Sequence, residues 1–166
     1  MKTPIPLQPE RGRLIRPLAE AEYEPAMALV SRVFDEFEAP EYRRKGVRAF
    51  RRFIAVDAVR ARCRAGKMRL WGCYDGESLA GVGALRDGSH ICLLFVEKAY
   101  HRQGIGEALA YTMEDICRRE GFAALTVHSS PYAVAFYRRL GFQPTDEEQT
   151  ADGIRYTPMR KELTEK

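Results

Sequence analysis

The residues most able to do chemistry are Arg102-Gln103-Gly104-Ile105-Gly106. They follow an unbroken apolar run over residues 91–96, the length and character of a central strand buried on both faces. They lead into Ile105, Leu109, Met113, Ile116 and Cys117, which fall at helical spacing. Strand, glycine turn and helix in that order make an anion cradle. The first N–H groups of a helix have no intrahelical partner, the macrodipole adds partial positive charge there, and glycines let a ligand come close. A pyrophosphate suits it. A P-loop would need Gly-Lys-Ser/Thr after its first glycine, and a dinucleotide fingerprint would need a third Gly or Ala where this chain has Leu109.

Around the cradle, a first strand is expected near residues 13–16. A helix carrying Met27, Val30, Val33, Phe34 and Phe37 follows, then a second from about Lys45 with Val47, Phe50, Phe53, Ile54 and Ala58 on its apolar face. Two helices thus precede the sheet. Asp75-Gly76 and Asp87-Gly88 signal type I′ hairpins joining strands over residues 68–74, 79–85 and 91–96, and Asp152-Gly153 signals another turn. The helix over residues 107–119 stops before Gly121. The strand over residues 124–127 can then pair only in parallel, through that crossover. Ser130-Pro131 starts a further helix, a capping hydroxyl followed by proline at the first helical position, with Ala133, Phe136, Tyr137 and Leu140 on one face. The fold class is mixed α/β: a central, mostly antiparallel sheet with one parallel pair at the cradle, flanked by helices.

Taken with Ala135-Phe136-Tyr137-Arg138-Arg139-Leu140-Gly141-Phe142 downstream, the Arg102–Gly106 loop resembles that of the GCN5-related N-acetyltransferase (GNAT) superfamily, Gln/Arg-x-x-Gly-x-Gly/Ala. The likeness is densest over residues 91–142 and extends to a first strand at Leu14-Ile15-Arg16-Pro17 and a closing one over residues 153–159. His101 departs from the usual Gln or Arg, and Ser130 from the usual Asn. The resemblance implies acetyl-CoA as cosubstrate, its pyrophosphate on the amides of residues 102–107 and its pantetheine arm along the backbone of Leu94 and Val96. The implied binding residues are Leu94, Phe95, Val96, His101, Arg102, Gln103, Gly104, Ile105, Gly106, Glu107, Ser130, Ala133 and Tyr137. It also implies direct transfer to an amine with no metal. The backbone N–H of Val96 would stabilise the oxyanion, and Tyr137 would protonate the departing thiolate. A phenol, with pKa about 10, is protonated at neutral pH and can do this.

The general base is open among His90, His128, Glu97, Asp35, Glu36, Glu38 and Glu41. Acidic residues after the first helix would also attract a cationic amine. The acceptor, a small molecule or a peptide amine, is not legible. Similar proteins are often dimers, so a homodimer is open too.

The 166 residues suffice for one domain burying about 70% of its unfolded surface. It is read as residues 13–166 after a tail of residues 1–12. No apolar run approaches membrane-spanning length and no secretory leader is visible, so a cytoplasmic protein is expected. Cys63, Cys73, Cys92 and Cys117 lack metal or disulfide spacing and read as reduced thiols. Cys92 inside its apolar strand is a poor candidate for a covalent route. Residues 43–69 hold eleven Lys or Arg against the single acid Asp57. That run supports drawing in the polyanionic cofactor, docking of an acidic partner or a basic nucleic-acid-binding module. Without interleaved aromatics for base stacking, nucleic acid is the weakest of them. A catalytically inactive acetyl-CoA-binding sensor is a further alternative.

Overall fold

The computed structural model describes residues 12–163. Of the expected tail, only Gly12 falls inside that range; the rest lies outside the described residues. Eight strands form one sheet: β1 (Arg13–Pro17), β2 (Met68–Asp75), β3 (Ser78–Arg86), β4 (His90–Val96), β5 (Ala124–Ser129), β6 (Gln143–Pro144), β7 (Gln149–Ala151) and β8 (Ile154–Glu162). Their order is β1-β2-β3-β4-β5-β8-β6, with β7 added on β8. The β4–β5 pair alone is parallel, joined by the crossover helix α4 (Ile105–Arg119), as the sequence requires.

The turns refine the hairpin reading. Asp152 and Gly153 both take positive φ, 52° and 79°, between paired Ala151 and Ile154, the geometry of a type I′ turn. At the first hairpin Asp75 pairs with Ser78, so the loop is Gly76-Glu77, one residue later than expected. At the second, Arg86 pairs with His90 across a three-residue loop.

Two cores lie on opposite faces of the sheet. α1 (Tyr23–Phe37) buries Met27, Leu29, Val30 and Phe34 against Leu70, Val82, Leu93 and Phe95. α4 and α5 (Val134–Arg139) bury Leu109, Met113, Tyr137 and Leu140 against Leu85, Ile91, Leu125 and Met159. The expected second helix is two, α2 (Arg44–Phe53) and α3 (Val56–Arg64), so three helices precede β2. No glycine or proline marks the break, because its cause is tertiary. The bend lets both Ile54 and Val59 reach the core, and Arg62 donates to the freed Phe53 carbonyl at 2.7 Å while covering its ring.

Much of the basic segment is answered by acids from elsewhere: Arg51 by Asp35, Arg60 and Arg64 by Glu20, and Arg69 by Glu120. Among the described residues, no helix is long and apolar enough to cross a membrane.

Candidate functional site

The pairing of β4 with β5 ends early, at Ile91 with Val127, although β4 runs on to Val96 and β5 to Ser129. The strands therefore part. Glu97 donates its N–H to Ala80 on the β3 side at 2.8 Å. Since backbone groups alternate along a strand, those of Leu94 and Val96 point the other way, into the gap. The Val96 carbonyl accepts from His101 Nε2 at 2.7 Å, which fixes the protonated tautomer because a carbonyl only accepts. His101 thus ties the end of β4 to the loop that follows.

In that loop Arg102 and Gly104 take φ of 63° and 82°, and the chain enters α4. The first helical bond runs from Ala108 to the Gly104 carbonyl. The N–H groups of Ile105, Gly106 and Glu107 are left without intrahelical acceptors, and no side chain caps them. These donors face a cleft of about 690 Å³. It is lined by Leu94, Phe95, Val96, His101, Arg102, Gly104, Ile105, Gly106, Glu107, Ala133 and Tyr137, eleven of the thirteen residues anticipated for the cofactor.

Gln103 and Ser130 do not line it. The Gln103 side chain turns back, donating to the Ala99 carbonyl at 3.3 Å and accepting from Arg13. The Ser130 hydroxyl makes no cap bond and is buried without a hydrogen bond of normal length. Sequence reasoning missed Val33, Phe37, Tyr100, Tyr132 and Arg139. The spacing of Val33 and Phe37, one helical turn apart, carried a signal; nothing in the sequence separated their end of the stripe from the core.

A second cavity, about 320 Å³, opens on the other side of the gap. Both cavities touch Glu38, Leu94, Phe95, Ala133 and Tyr137, so they meet there. The apolar run of β4 is consequently buried only at alternate positions. Ile91, Leu93 and Phe95 are in the cores, while Cys92, Leu94 and Val96 are half-buried against the cavities.

The structure sorts the acid–base candidates. Asp35 pairs with Arg51 at 2.7 Å, Glu36 with Lys98 at 2.8 Å and Glu97 with Arg32 at 2.7 Å. Glu41 is exposed, with Arg155 at 3.9 Å. Glu38 lines both cavities, and among the described residues no cation comes within ion-pair distance of it. Burial pushes its carboxyl up to about 7; the Glu41 charge adds to the rise, and the Tyr42 and Ser130 hydroxyls pull against it. His90 and His128 line only the second cavity, their rings 4.6 Å apart. Burial, helped by Arg86, lowers both, His90 to about 3, which leaves it too weak a base. His90 is also held by Thr126 at 2.8 Å, and His128 stacks on Tyr156.

Tyr137, 5% exposed, stands edge-on to Phe136 and Phe142. Burial, followed by the Glu38 charge, raises its phenol, so it holds its proton throughout the neutral range. Burial pushes the Cys92 thiol up to about 12, far from a nucleophilic thiolate.

Residues 38–163 match the family model of the acetyltransferase (GNAT) domain. The uncharacterized YyaT protein of Bacillus subtilis (strain 168) is 30% identical over 97 residues, which cover 55% of this chain and 64% of that protein. Among solved structures, a GCN5-related N-acetyltransferase from Rhodopseudomonas palustris superposes with a TM-score of 0.79 at 19% identity, covering 98% of this chain and 100% of that one. The PaiA N-acetyltransferase of Thermoplasma acidophilum, solved in complex with coenzyme A, superposes with a TM-score of 0.75 at 17% identity, covering 90% and 98%.

Proposed function

Because the chain belongs to the GNAT acetyltransferase family, we propose that it is an N-acetyltransferase moving an acetyl group from acetyl-CoA directly to a primary amine. The observation that carries this is the meeting of two cavities at Glu38 and Tyr137, where β4 and β5 part. Acetyl-CoA would take the larger cleft. Its pyrophosphate would rest on the free N–H groups of Ile105, Gly106 and Glu107, and its pantetheine arm would bond the outward backbone of Leu94 and Val96 as an added strand. The amine would enter through the smaller cavity.

Glu38, poised near neutrality, takes a proton from the incoming ammonium. The neutral nitrogen attacks the thioester carbonyl, and the Val96 N–H stabilises the oxyanion. The C–S bond breaks, and Tyr137 protonates the thiolate. The attacked nitrogen sheds its second proton as the amide forms, which makes good the proton Tyr137 gave, and the proton on Glu38 passes to solvent, so both residues are restored and an amide, CoA and one net proton are left.

The cosubstrate reading is tested by thermal unfolding with and without acetyl-CoA. At about a hundred times its dissociation constant the ligand stabilises by about 2.7 kcal/mol, a rise of several degrees. No rise at millimolar acetyl-CoA would sink it. Variants at two glycines separate fold from ligand. Gly104→Ala forces a side chain into φ 82° and should lower the midpoint of the free protein, at a cost of about 1–2 kcal/mol. At Gly106 an added Cβ meets Phe136 and Val96 at an ordinary 3.5 Å, so the fold tolerates Gly106→Ala. Gly106→Val, crowding the cleft floor, should cut the acetyl-CoA shift while leaving the free protein folded.

A further inference from the structure

The second cavity carries opposite charges at its two ends. Glu38 lies where it joins the larger cleft, and Arg86, at the end of β3, lines the far side. Arg86 is the sole lysine or arginine on the lining among the described residues, and with both imidazoles held neutral it supplies the full positive charge there. The wall between is aromatic: Tyr42 precedes α2, and Phe50 and Phe53 lie on it. This wall is fixed. Phe50 stacks on Phe34 at 4.1 Å, and α2 sits so close to the β7–β8 turn that a Cβ on Gly46 would lie 2.2 Å from the Gly153 carbonyl oxygen.

Arg86 is available to a ligand. Its carboxylate partner is the adjacent Asp87, 2.7 Å away on the hairpin turn with a side chain 63% exposed. Such surface pairs contribute little and yield readily to a better-placed anion. The field of Arg86 already reaches into the cavity, where it disfavours the charged forms of His90 and His128.

Length follows from register. Arg86 pairs with His90, and Leu94, at the junction, lies four residues further along β4. At about 3.3 Å per residue the two ends are roughly 13 Å apart, which puts a ligand's two charges on the order of 10 Å from each other. An α-amino acid, with both charges on one carbon, is too short.

Resting on the amine-acetylation reading, we propose that the acceptor is a primary amine bearing a carboxylate at the far end of an aromatic or extended apolar body. Glu38 receives the amine, Tyr42, Phe50 and Phe53 pack the body, and Arg86 binds the carboxylate.

Calorimetric titration of the CoA-loaded protein with para-(aminoethyl)benzoate and its neutral carboxamide tests this without turnover. The acid should bind about tenfold more tightly than the amide, as a charge-assisted hydrogen-bonded pair allows. In Arg86→Gln the ratio should fall to about one. Asp87→Asn, where asparagine tolerates the positive φ of 51°, should keep or raise it by freeing Arg86. Equal affinities, no measurable binding of either compound, or a ratio that survives Arg86→Gln would overturn the proposal. So would a ratio that collapses equally in Asp87→Asn, which would trace the effect to the turn. Acetylation of both amines at equal affinity would leave the acetyltransferase reading standing and remove this one. A tenfold acid preference with no CoA released from acetyl-CoA would keep the carboxylate site at Arg86 and remove the acetyltransferase reading, and with it the ligand's role as acceptor.

Discussion

Tyr137→Phe is expected to lower kcat by about 10²- to 10⁴-fold, the range that a positioned general acid contributes. Acetyl-CoA affinity should hardly change, because the ring keeps its packing against Phe136 and Phe142 and only the hydroxyl is lost. The prediction follows from burial. A phenol enclosed in the second core, with the Glu38 charge nearby, is raised well above its ordinary range and serves as a donor at every working pH. A departing thiolate is a weaker base than this phenolate, so the phenol acts by donating a hydrogen bond to the sulfur as charge develops there, its proton crossing as the nitrogen gives up its own. Stopped assays of CoA release, with acetyl-CoA binding measured in parallel, decide it. Unchanged kcat removes Tyr137 from the mechanism, whereas lost binding with retained kcat makes it a packing residue.

Tyr137 also marks where residue spacing stops being informative, since it was the family resemblance of the segment over residues 135–142 that singled it out. Its position on an apolar stripe with Ala133, Phe136 and Leu140 identified a helix face, and packing was the plain reading of that face. What sets it apart is the early end of the β4–β5 pairing, a property of two strands distant in sequence. The loop was legible for the opposite reason. A glycine at φ 82° followed by uncapped helix donors is local chemistry, written in consecutive residues.

The same division runs through the fold. The Asp152-Gly153 turn, the crossover helix and the single parallel pair follow from local signals and chain connectivity. The break between α2 and α3 does not. It arises from Ile54 and Val59 both reaching one core, with Arg62 answering the Phe53 carbonyl, none of which leaves a glycine or proline behind. Among the acids in the last turn of α1 and just beyond it, sequence could not separate Asp35, Glu36, Glu38 and Glu41, because their difference lies in their partners. Arg51 and Lys98 come from elsewhere in the chain to neutralise two of them, and Glu38 faces the gap with hydroxyls beside it and, among the described residues, no cation within ion-pair distance.

That isolation makes Glu38→Gln the sharpest test of the proton path. With its carboxyl raised by burial to about 7, wild-type kcat/KM should climb about tenfold per pH unit below that value, as the base deprotonates, and then level off. Glu38→Gln should lose about a hundredfold or more at pH 8 and lose the climbing limb with it. Stability moves the other way. A carboxyl raised in the folded state from an ordinary value of 4.5 binds its proton more tightly there than in the unfolded chain. Its contribution is intact below 4.5, erodes as pH rises through about 7, and is a net penalty above. Glutamine carries no such penalty, so the variant should unfold at a temperature equal to or above that of the wild type at pH 8. A variant that is inactive and less stable at pH 8 has lost structure. One that keeps the pH limb shows that another group takes the proton. One that is inactive, flat with pH and at least as stable identifies Glu38 as the base.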